Sequence, residues 1–153
     1  MAERDQLYQK FGEVSEAAQL LETELGNMLL EISAGKHGLF VNPDKAKATE
    51  LLKEINKSTL GKLIRNYNPA NSASSDDLCN LLEEALSARN TLSHSFFRNH
   101  NLRINSKEGR DLMISDLEVL YKKIFEAYVK LLVIQGIDLH KLSIGSVTGH
   151  LPI

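Results

Sequence analysis

The chain has 153 residues, of which 42% are hydrophobic, 25% charged and 6% aromatic, and its formal net charge is −2. This length is typical of a single domain with a contiguous core, and the composition is that of a folded protein rather than a disordered one. The slightly negative charge argues against a protein that coats nucleic acid with its whole surface, because such binding draws on phosphate neutralisation by Lys and Arg. Any nucleic-acid contact is therefore expected to be local.

Cysteine content and hydropathy indicate the compartment. Cys79 is the single cysteine, so the chain can build neither an intramolecular disulfide nor a cysteine-rich zinc site, and a reducing compartment fits. The N-terminal stretch MAERDQLYQK is charged, and no apolar run of about 18 residues follows it anywhere. We expect a cytoplasmic protein with neither a signal peptide nor a membrane span.

The first half of the chain predicts three helices. From about Glu3 to Ser33 apolar residues recur at three- and four-residue steps, the period of an amphipathic helix: they are Phe11, Val14, Ala18, Leu21, Leu25, Met28, Leu29 and Ile32. Gly35 and Gly38 then end the pattern. Asn42, as N-cap before Pro43, opens a second helix, which carries Ala46, Leu51, Leu52 and Ile55.

A short third helix, TLGKLIRNY, is capped by Ser58 or Thr59 and buries Leu60, Leu63, Ile64 and Tyr67. The stretch NPANSASSDD that follows it is a predicted loop. Ser74 or Ser75, followed by two aspartates, then starts a fourth helix that runs from Leu78 to about Phe97.

The last long helix begins where Asn105 and Glu108 resemble a capping box. Its inward residues are predicted to be Leu112, Leu117, Leu120, Ile124, Tyr128, Leu131 and Leu132. Gly136 ends it. We therefore predict an all-α fold, an up-and-down bundle of four main helices plus one short helix, over residues 1–135, with a C-terminal tail over residues 136–153.

The stretch ARNTLSHSFFRNHN, from Ala88 to Asn101, carries the feature that packing explains least well. At about 100° per residue, Arg89 falls within the apolar stripe of the fourth helix, which consists of Leu78, Leu82, Ala85, Leu92 and Phe96. His94 lies about 140° away from Arg89 on the polar flank, near Asn90. A guanidinium inside an apolar stripe must extend to solvent, pair with a carboxylate, or face a second subunit.

One site can use both side chains in three ways. Arg89 can reach around the helix, the helix can distort near Thr91 and Ser93, or a two-fold dimer can gather two copies of each residue in one groove. The spacing alone does not distinguish these geometries, and it also arises by chance in ordinary helices.

The remaining polar residues point to no metal or cofactor. His37, His100, His140 and His150 are expected at the surface, no spacing of metal ligands occurs, and Gly35 and Gly38 are turn glycines rather than a phosphate loop. Downstream of His94, basic residues form either a local phosphate track or a solvated turn: Arg98, His100, Arg103, Lys107 and Arg110. Among them Arg98 and Arg103 are candidates for supporting or binding a substrate.

The segment R-N-T-L-S-H, from Arg89 to His94, resembles the motif of the HEPN superfamily. In that motif four to six positions separate an arginine from a histidine, and the first of these positions is usually polar. The longer pattern R-N-x-L-x-H-x-F-F, with T-L-G-x-L-I upstream at Thr59 to Ile64, is similar to small bacterial helical proteins related to that superfamily. The resemblance covers the third and fourth predicted helices, and the rest only as a compatible bundle.

The resemblance implies a helical bundle that forms a homodimer and acts as a metal-independent endoribonuclease, in toxin–antitoxin, phage-defence or RNA-processing systems. It assigns Arg89 and His94 as the catalytic pair and Asn90 as the polar residue beside the arginine, with RNA as the partner and a cognate antitoxin or regulatory protein as a further one. Members silenced by nucleotidylation carry a tyrosine two positions after the histidine. This chain has Phe96 there, so that control is not expected.

The chemistry fits these residue types. A histidine can exchange a proton near neutral pH, and an arginine, permanently charged, can hold the charge that develops on a phosphate. The alternative is a non-catalytic helical interaction module in which Arg89 pairs with Glu83 or Asp116 and His94 is merely exposed. A weaker alternative is an RNA-binding or antitoxin-like protein that keeps the cleft without cleavage.

Overall fold

A computed structural model describes residues 2–70 and 76–136 of the chain. These residues contain helices and turns with no strand, and five of their helices are longer than ten residues. The helices are α1 (Arg4–Lys36), α2 (Lys45–Asn56), α3 (Leu60–Ala70), α4 (Asp76–Asn90), α5 (Phe96–His100) and α6 (Lys107–Ile134). A π-helical turn, Thr91–Ser95, joins α4 to α5, and a 3₁₀ turn, Asn101–Asn105, joins α5 to α6. The predicted all-α class is confirmed over this part of the chain.

The chain divides into two compact units. Unit 1 consists of Met1–Leu21 and Ser75–Tyr128, and unit 2 consists of Glu22–Ser74 and Val129–Ile153. The long helices α1 and α6 contribute to both units. Apart from Gly136, the predicted tail of residues 136–153 lies outside the described residues, as do Ser74 and Ser75, the predicted caps of the fourth helix. The boundary after residue 135 and the up-and-down bundle stay predictions.

The start of α2 differs from the sequence prediction. Asp44, rather than Asn42, is the N-cap, and its side chain accepts a 3.1 Å hydrogen bond from the backbone N–H of Lys47. Aspartate suits this position because its carboxylate accepts an otherwise unpaired N–H and adds negative charge at the positive end of the helix dipole. The helix therefore begins two residues later than the Asn42 cap predicted.

The predicted cap is confirmed for α3 and is wrong for α6. Thr59 Oγ1 accepts a 3.3 Å hydrogen bond from the N–H of Lys62, as predicted for α3. At α6 the cap is Ser106, not Asn105, because Ser106 has extended backbone and its Oγ accepts a 3.0 Å hydrogen bond from the N–H of Gly109. Asn105 is instead the last residue of the 3₁₀ turn.

The glycine stops are confirmed at Gly38 and Gly136, but the prediction is wrong for Gly35, which lies inside α1 because a single glycine weakens a helix without ending it. Gly38 and Gly136, which follow α1 and α6, have φ angles of 68° and 78°, in the left-handed region that glycine enters without a Cβ clash. Helix α3 differs from the prediction, since it continues to Ala70 and so includes residues assigned from sequence to the loop. Residues 71–75 lie outside the described part.

The core of unit 1 is formed by the first part of α1, by α4 with α5, and by α6. Phe11 contacts Phe96 and Phe97 with ring centroids 5.9 and 5.1 Å apart. The buried apolar residues of this unit include Leu7, Val14, Leu21, Leu78, Leu82, Ala85, Leu92, Phe96, Met113, Leu117, Ile124 and Tyr128. Leu112 is 55% exposed, contrary to prediction: it lies five residues before Leu117, about 140° around the helix. Met113, four residues before Leu117, is buried instead.

Unit 2 contains the second part of α1, α2, α3 and the end of α6. Its buried apolar residues include Leu25, Met28, Leu29, Leu60, Leu63, Ile64, Tyr67, Leu131 and Leu132. Helix α2 contributes Leu51 as its one buried residue, whereas Ala46, predicted inward, is exposed. The unit's core therefore depends mainly on α1, α3 and α6.

The N-terminal segment is fixed to the start of α6 within unit 1. The backbone N–H of Ala2 donates to Asp111 Oδ1 at 2.7 Å, and the carbonyl of Ala2 accepts from Arg110 Nε at 2.8 Å. Arg110 also donates through Nη1 to the carbonyl of Ile104 at 2.8 Å, and its side chain is buried. Burying a guanidinium requires such partners, because it cannot lose its charge. Arg110 thus joins three segments of the chain.

None of the helices within residues 2–70 and 76–136 combines the length and the hydropathy that a membrane span requires.

We predict that Gly109→Ala destabilises the protein. A Cβ at Gly109 would overlap the backbone carbonyl of Arg103 in the 3₁₀ turn, so the turn must move away from α6. We expect the free energy of unfolding in urea to fall by about 2 kcal/mol. The matched control is Gly12→Ala on α1, where a Cβ meets nothing within 4 Å; the better helix propensity of alanine should raise stability there by about 0.5 kcal/mol. Equal effects of the two substitutions would contradict this packing.

Candidate functional site

Arg89 lies at the end of α4, beside the buried face of that helix. Leu82, Ala85 and Ala88 on this face are buried, while Arg89 is half-buried and Asn90 is exposed. Arg89 Nη1 donates a 3.2 Å hydrogen bond to Asn90 Oδ1. The structure therefore shows a direct contact between the arginine of the motif and the polar residue that follows it.

The helix changes its winding directly after these two residues. Thr91–Ser95 form a π-helical turn, and Ser95, with φ −137° and ψ −7°, departs from helical geometry before α5 begins. Ser95 Oγ donates a 3.3 Å hydrogen bond to the carbonyl of Thr91. Such a turn holds one residue more than an α-helical turn, and turns of this kind occur frequently at functional sites.

The spacing of buried residues explains why the π turn forms here. Ala88, Leu92, Phe96 and His100 are all buried and follow one another at four-residue steps. In an unbroken α-helix three such steps would drift by about 120° around the axis, and the last side chain would leave the core. The extra residue of the π turn removes most of that drift. Burial of one continuous face therefore favours the wide turn.

The π turn also changes where His94 lies relative to Arg89. Each step within a π turn advances by roughly 80° instead of about 100°, so the three steps from Thr91 to His94 reduce the separation from about 140° to roughly 80°. Of the three geometries left open by the sequence, this is the distortion near Thr91 and Ser93. His94 is exposed, so its ring can reach a substrate.

Arg98 supports this turn from α5. Its Nη2 donates a 2.7 Å hydrogen bond to the carbonyl of His94, and Asn99 Nδ2 donates at 3.4 Å to Ser95 Oγ. Arg98 remains exposed, and a guanidinium has five N–H donors, so the bond to His94 leaves donors for a phosphate. The structure places Arg98 one turn after His94, where it can fix the backbone of that residue.

Arg103 lies with His100 rather than with the pair of Arg89 and His94. Arg103 Nη1 lies 3.1 Å from His100 Nδ1, and His100 Nε2 lies 2.9 Å from Asp116 Oδ2. Because arginine only donates, Nδ1 accepts in the first contact and Nε2–H donates to the carboxylate in the second. Phe96 lies 4.7 Å from the ring of His100.

His100 is therefore the polar residue that sequence reasoning missed. It was predicted at the surface, but it is only 5% exposed. The available signal was its position four residues after Phe96, in the same series that produces the π turn. A cavity of about 160 Å³ adjoins it and is lined by Thr91, Phe96, Asn99, His100, Asp116, Val119 and Leu120. The carboxylate of Asp116, which also lines this cavity, contacts the ring of His100.

The predicted phosphate track is only partly available. Besides His100, Arg110 is buried against backbone carbonyls, so the interpretation is wrong for both of these residues. Lys107 lies 3.6 Å from Glu3 in an exposed ion pair, which contributes little and can exchange. Arg98 and Arg103 stay exposed and remain candidates.

Within residues 2–70 and 76–136, no three His, Cys, Asp or Glu side chains are grouped so that they could hold a metal ion.

No protein-family model matches the chain, and no curated protein or solved structure shows significant similarity to it.

We predict that deletion of Ser95 leaves the protein folded. The buried residues Ala88, Leu92, Phe96 and His100 follow one another at steps of four, four and four. The deletion changes these steps to four, three and four, a spacing that keeps them on one face of an ordinary α-helix. We expect a helical circular dichroism spectrum and a free energy of unfolding within about 1 kcal/mol of the parent. Deletion of Ser87 is the control: it rotates the buried face of α4 out of register and should cost about 3 kcal/mol or more. Equal losses in both variants would show that the series does not determine the turn.

Proposed function

We propose that the chain is a metal-independent endoribonuclease of the HEPN type, in which Arg89 and His94 act at one site. The observation that carries the proposal is the π turn of Thr91–Ser95. The sequence motif requires a distortion of the helix, a long reach or a second subunit, and the turn supplies the distortion between the two residues of the motif. The exposure of His94 and the contact of Arg89 with Asn90 support the same assignment.

The proposed reaction is transfer of the phosphate to the neighbouring ribose hydroxyl. The 2′-oxygen attacks phosphorus and loses its proton, the bond from phosphorus to the 5′-oxygen breaks, and the products are a 2′,3′-cyclic phosphate and a 5′-hydroxyl. His94 exchanges the proton, as a histidine can near neutral pH. Arg89 binds the non-bridging oxygens and offsets their developing charge. The need for a 2′-hydroxyl makes the activity specific for RNA.

A homodimer completes this mechanism. The reaction needs one group that takes a proton from the 2′-hydroxyl and another that returns one to the leaving 5′-oxygen, and the motif of one subunit offers a single exposed histidine for both. A two-fold pairing around the π turn would supply His94 from each subunit and two arginines around one phosphate. Arg98 then acts as a positioning residue through its bond to the His94 carbonyl.

The biological setting that accompanies this proposal is a toxin, a phage-defence component or an RNA-processing factor in the cytoplasm, with a cognate antitoxin or regulatory protein as a partner. Phe96 is buried against Phe11 and Phe97. A phenyl ring has no hydroxyl to accept a nucleotide, so regulation is proposed to act by binding rather than by modification at this position.

The second candidate function is a non-catalytic helical interaction or RNA-binding module. Its supporting observation is that Arg89 is half-buried next to the core face of α4, where a guanidinium can have a purely structural role. In that case a carboxylate such as Glu83 or Asp116 is proposed to pair with Arg89; Asp116 also contacts His100. The two candidates differ in what they require of His94, since only the enzyme needs its ring.

We predict that His94→Ala abolishes cleavage of single-stranded RNA. Loss of a general acid–base group should lower the rate by about 10²- to 10⁴-fold, with thermal unfolding unchanged because the side chain is exposed. The rate is measured on an end-labelled RNA in the presence of EDTA. His37→Ala, an exposed histidine in the turn after α1, is the matched control and should cleave at the parental rate. Parental activity in His94→Ala, or complete loss of activity with EDTA, would refute the enzymatic assignment.

A further inference from the structure

Unit 2 contains a cavity that the proposed ribonuclease does not use. It measures about 390 Å³ and lies among the second part of α1, α2 and α3. Leu29, Leu51 and Leu63, which are buried, and Ile32 and Ile55, which are half-buried, form its apolar floor. Small-molecule sites typically measure about 300 to 1,000 Å³, so this cavity is large enough for a small organic ligand.

The cavity exists because α2 packs loosely. Leu51 is the one buried residue of this helix, and a second cavity of about 210 Å³ also borders Ile55. Ile55 approaches α1 at Gly26, where a Cβ would come within 3.1 Å of its Cγ2, so the isoleucine is already held against the backbone. The side chains of α2 thus line the cavity without filling it. An apolar ligand in the cavity would make packing contacts that the chain itself does not make.

The charges around this cavity have mainly one sign. Lys36, Lys62 and Arg65 border it and are exposed, and Glu54 is the acidic residue of the lining. Across the described parts of the chain, none of these three cations forms an ion pair. An excess of unpaired positive charge beside an apolar floor favours a ligand that carries a negative group at one end of an apolar body.

We propose that this cavity binds an amphipathic organic anion, with an aromatic or aliphatic body on the leucine and isoleucine floor and an acidic group between Lys62 and Arg65. These two cations lie three residues apart on α3, so their side chains project from one face of that helix. The proposal is independent of RNA cleavage, because every lining residue belongs to unit 2, whereas Arg89 and His94 belong to unit 1.

The test uses a pair of fluorescent probes that differ in charge. The first is 8-anilinonaphthalene-1-sulfonate, and the second is N-phenyl-1-naphthylamine, which has the same rings without the sulfonate. Both are titrated into the full chain and followed by fluorescence, with stoichiometry from a reverse titration. We expect the sulfonate to bind at one site per chain and about tenfold more tightly than the neutral probe. Equal affinities, or several weak sites, would overturn the proposal.

Charge reversal locates the site. Lys62→Glu with Arg65→Glu should weaken binding of the sulfonate by about tenfold or more and leave the neutral probe within about twofold. Lys122→Glu with Lys123→Glu on α6 makes the same change in net charge outside the cavity and should alter neither affinity. Circular dichroism confirms that both variants are folded, which is expected because the four side chains are exposed. Loss of sulfonate binding to the same extent in both variants would contradict the proposed site.

Discussion

Burial at four-residue steps through Ala88, Leu92, Phe96 and His100 is the constraint on which this structure depends. An α-helix cannot keep such a series on one face, and the chain resolves the conflict with a π turn. That turn brings His94 nearer to Arg89 around the helix axis, and it directs His100 into the core, where Asp116 and Arg103 bind its ring nitrogens. Packing in the core and placement of the polar motif therefore have the same physical cause.

The elements of unit 1 reinforce that arrangement. Phe11 packs against Phe96 and Phe97 just after the turn, while Arg98 binds the carbonyl of His94 from the following helix. Asn101 follows α5 and has a φ of 51°, which is uncommon outside glycine. Gly109 allows the 3₁₀ turn to lie directly against α6. The segment that carries the motif is thus held on both sides, which is what a site needs if its geometry is to be preserved.

Sequence periodicity was sufficient for the helices, since apolar steps of three and four residues located all five of the longer ones. It was not sufficient for the caps of α2 and α6, because Asp44 and Ser106 stand within two residues of equally suitable asparagines, and only backbone geometry selects between them. The sequence predicts a distortion near Thr91 and Ser93 only as one of three geometries, and it does not predict a π turn. The sequence prediction assumes an ideal α-helix, on which residues at four-residue steps drift away from one face. It therefore predicts neither the wider turn between Ala88 and His100 nor the burial of His100.

The central claim, that Arg89 and His94 form one RNA site, can be tested directly by NMR. A single-stranded RNA with 2′-O-methyl groups lacks the attacking hydroxyl and should bind without being cleaved. During its titration, we expect the Nε–Hε resonance of Arg89 and the ring resonances of His94 to shift along the same saturation curve. If only one of the two residues responds, or if neither does at saturating RNA, the two side chains do not form one site and the proposed function is wrong.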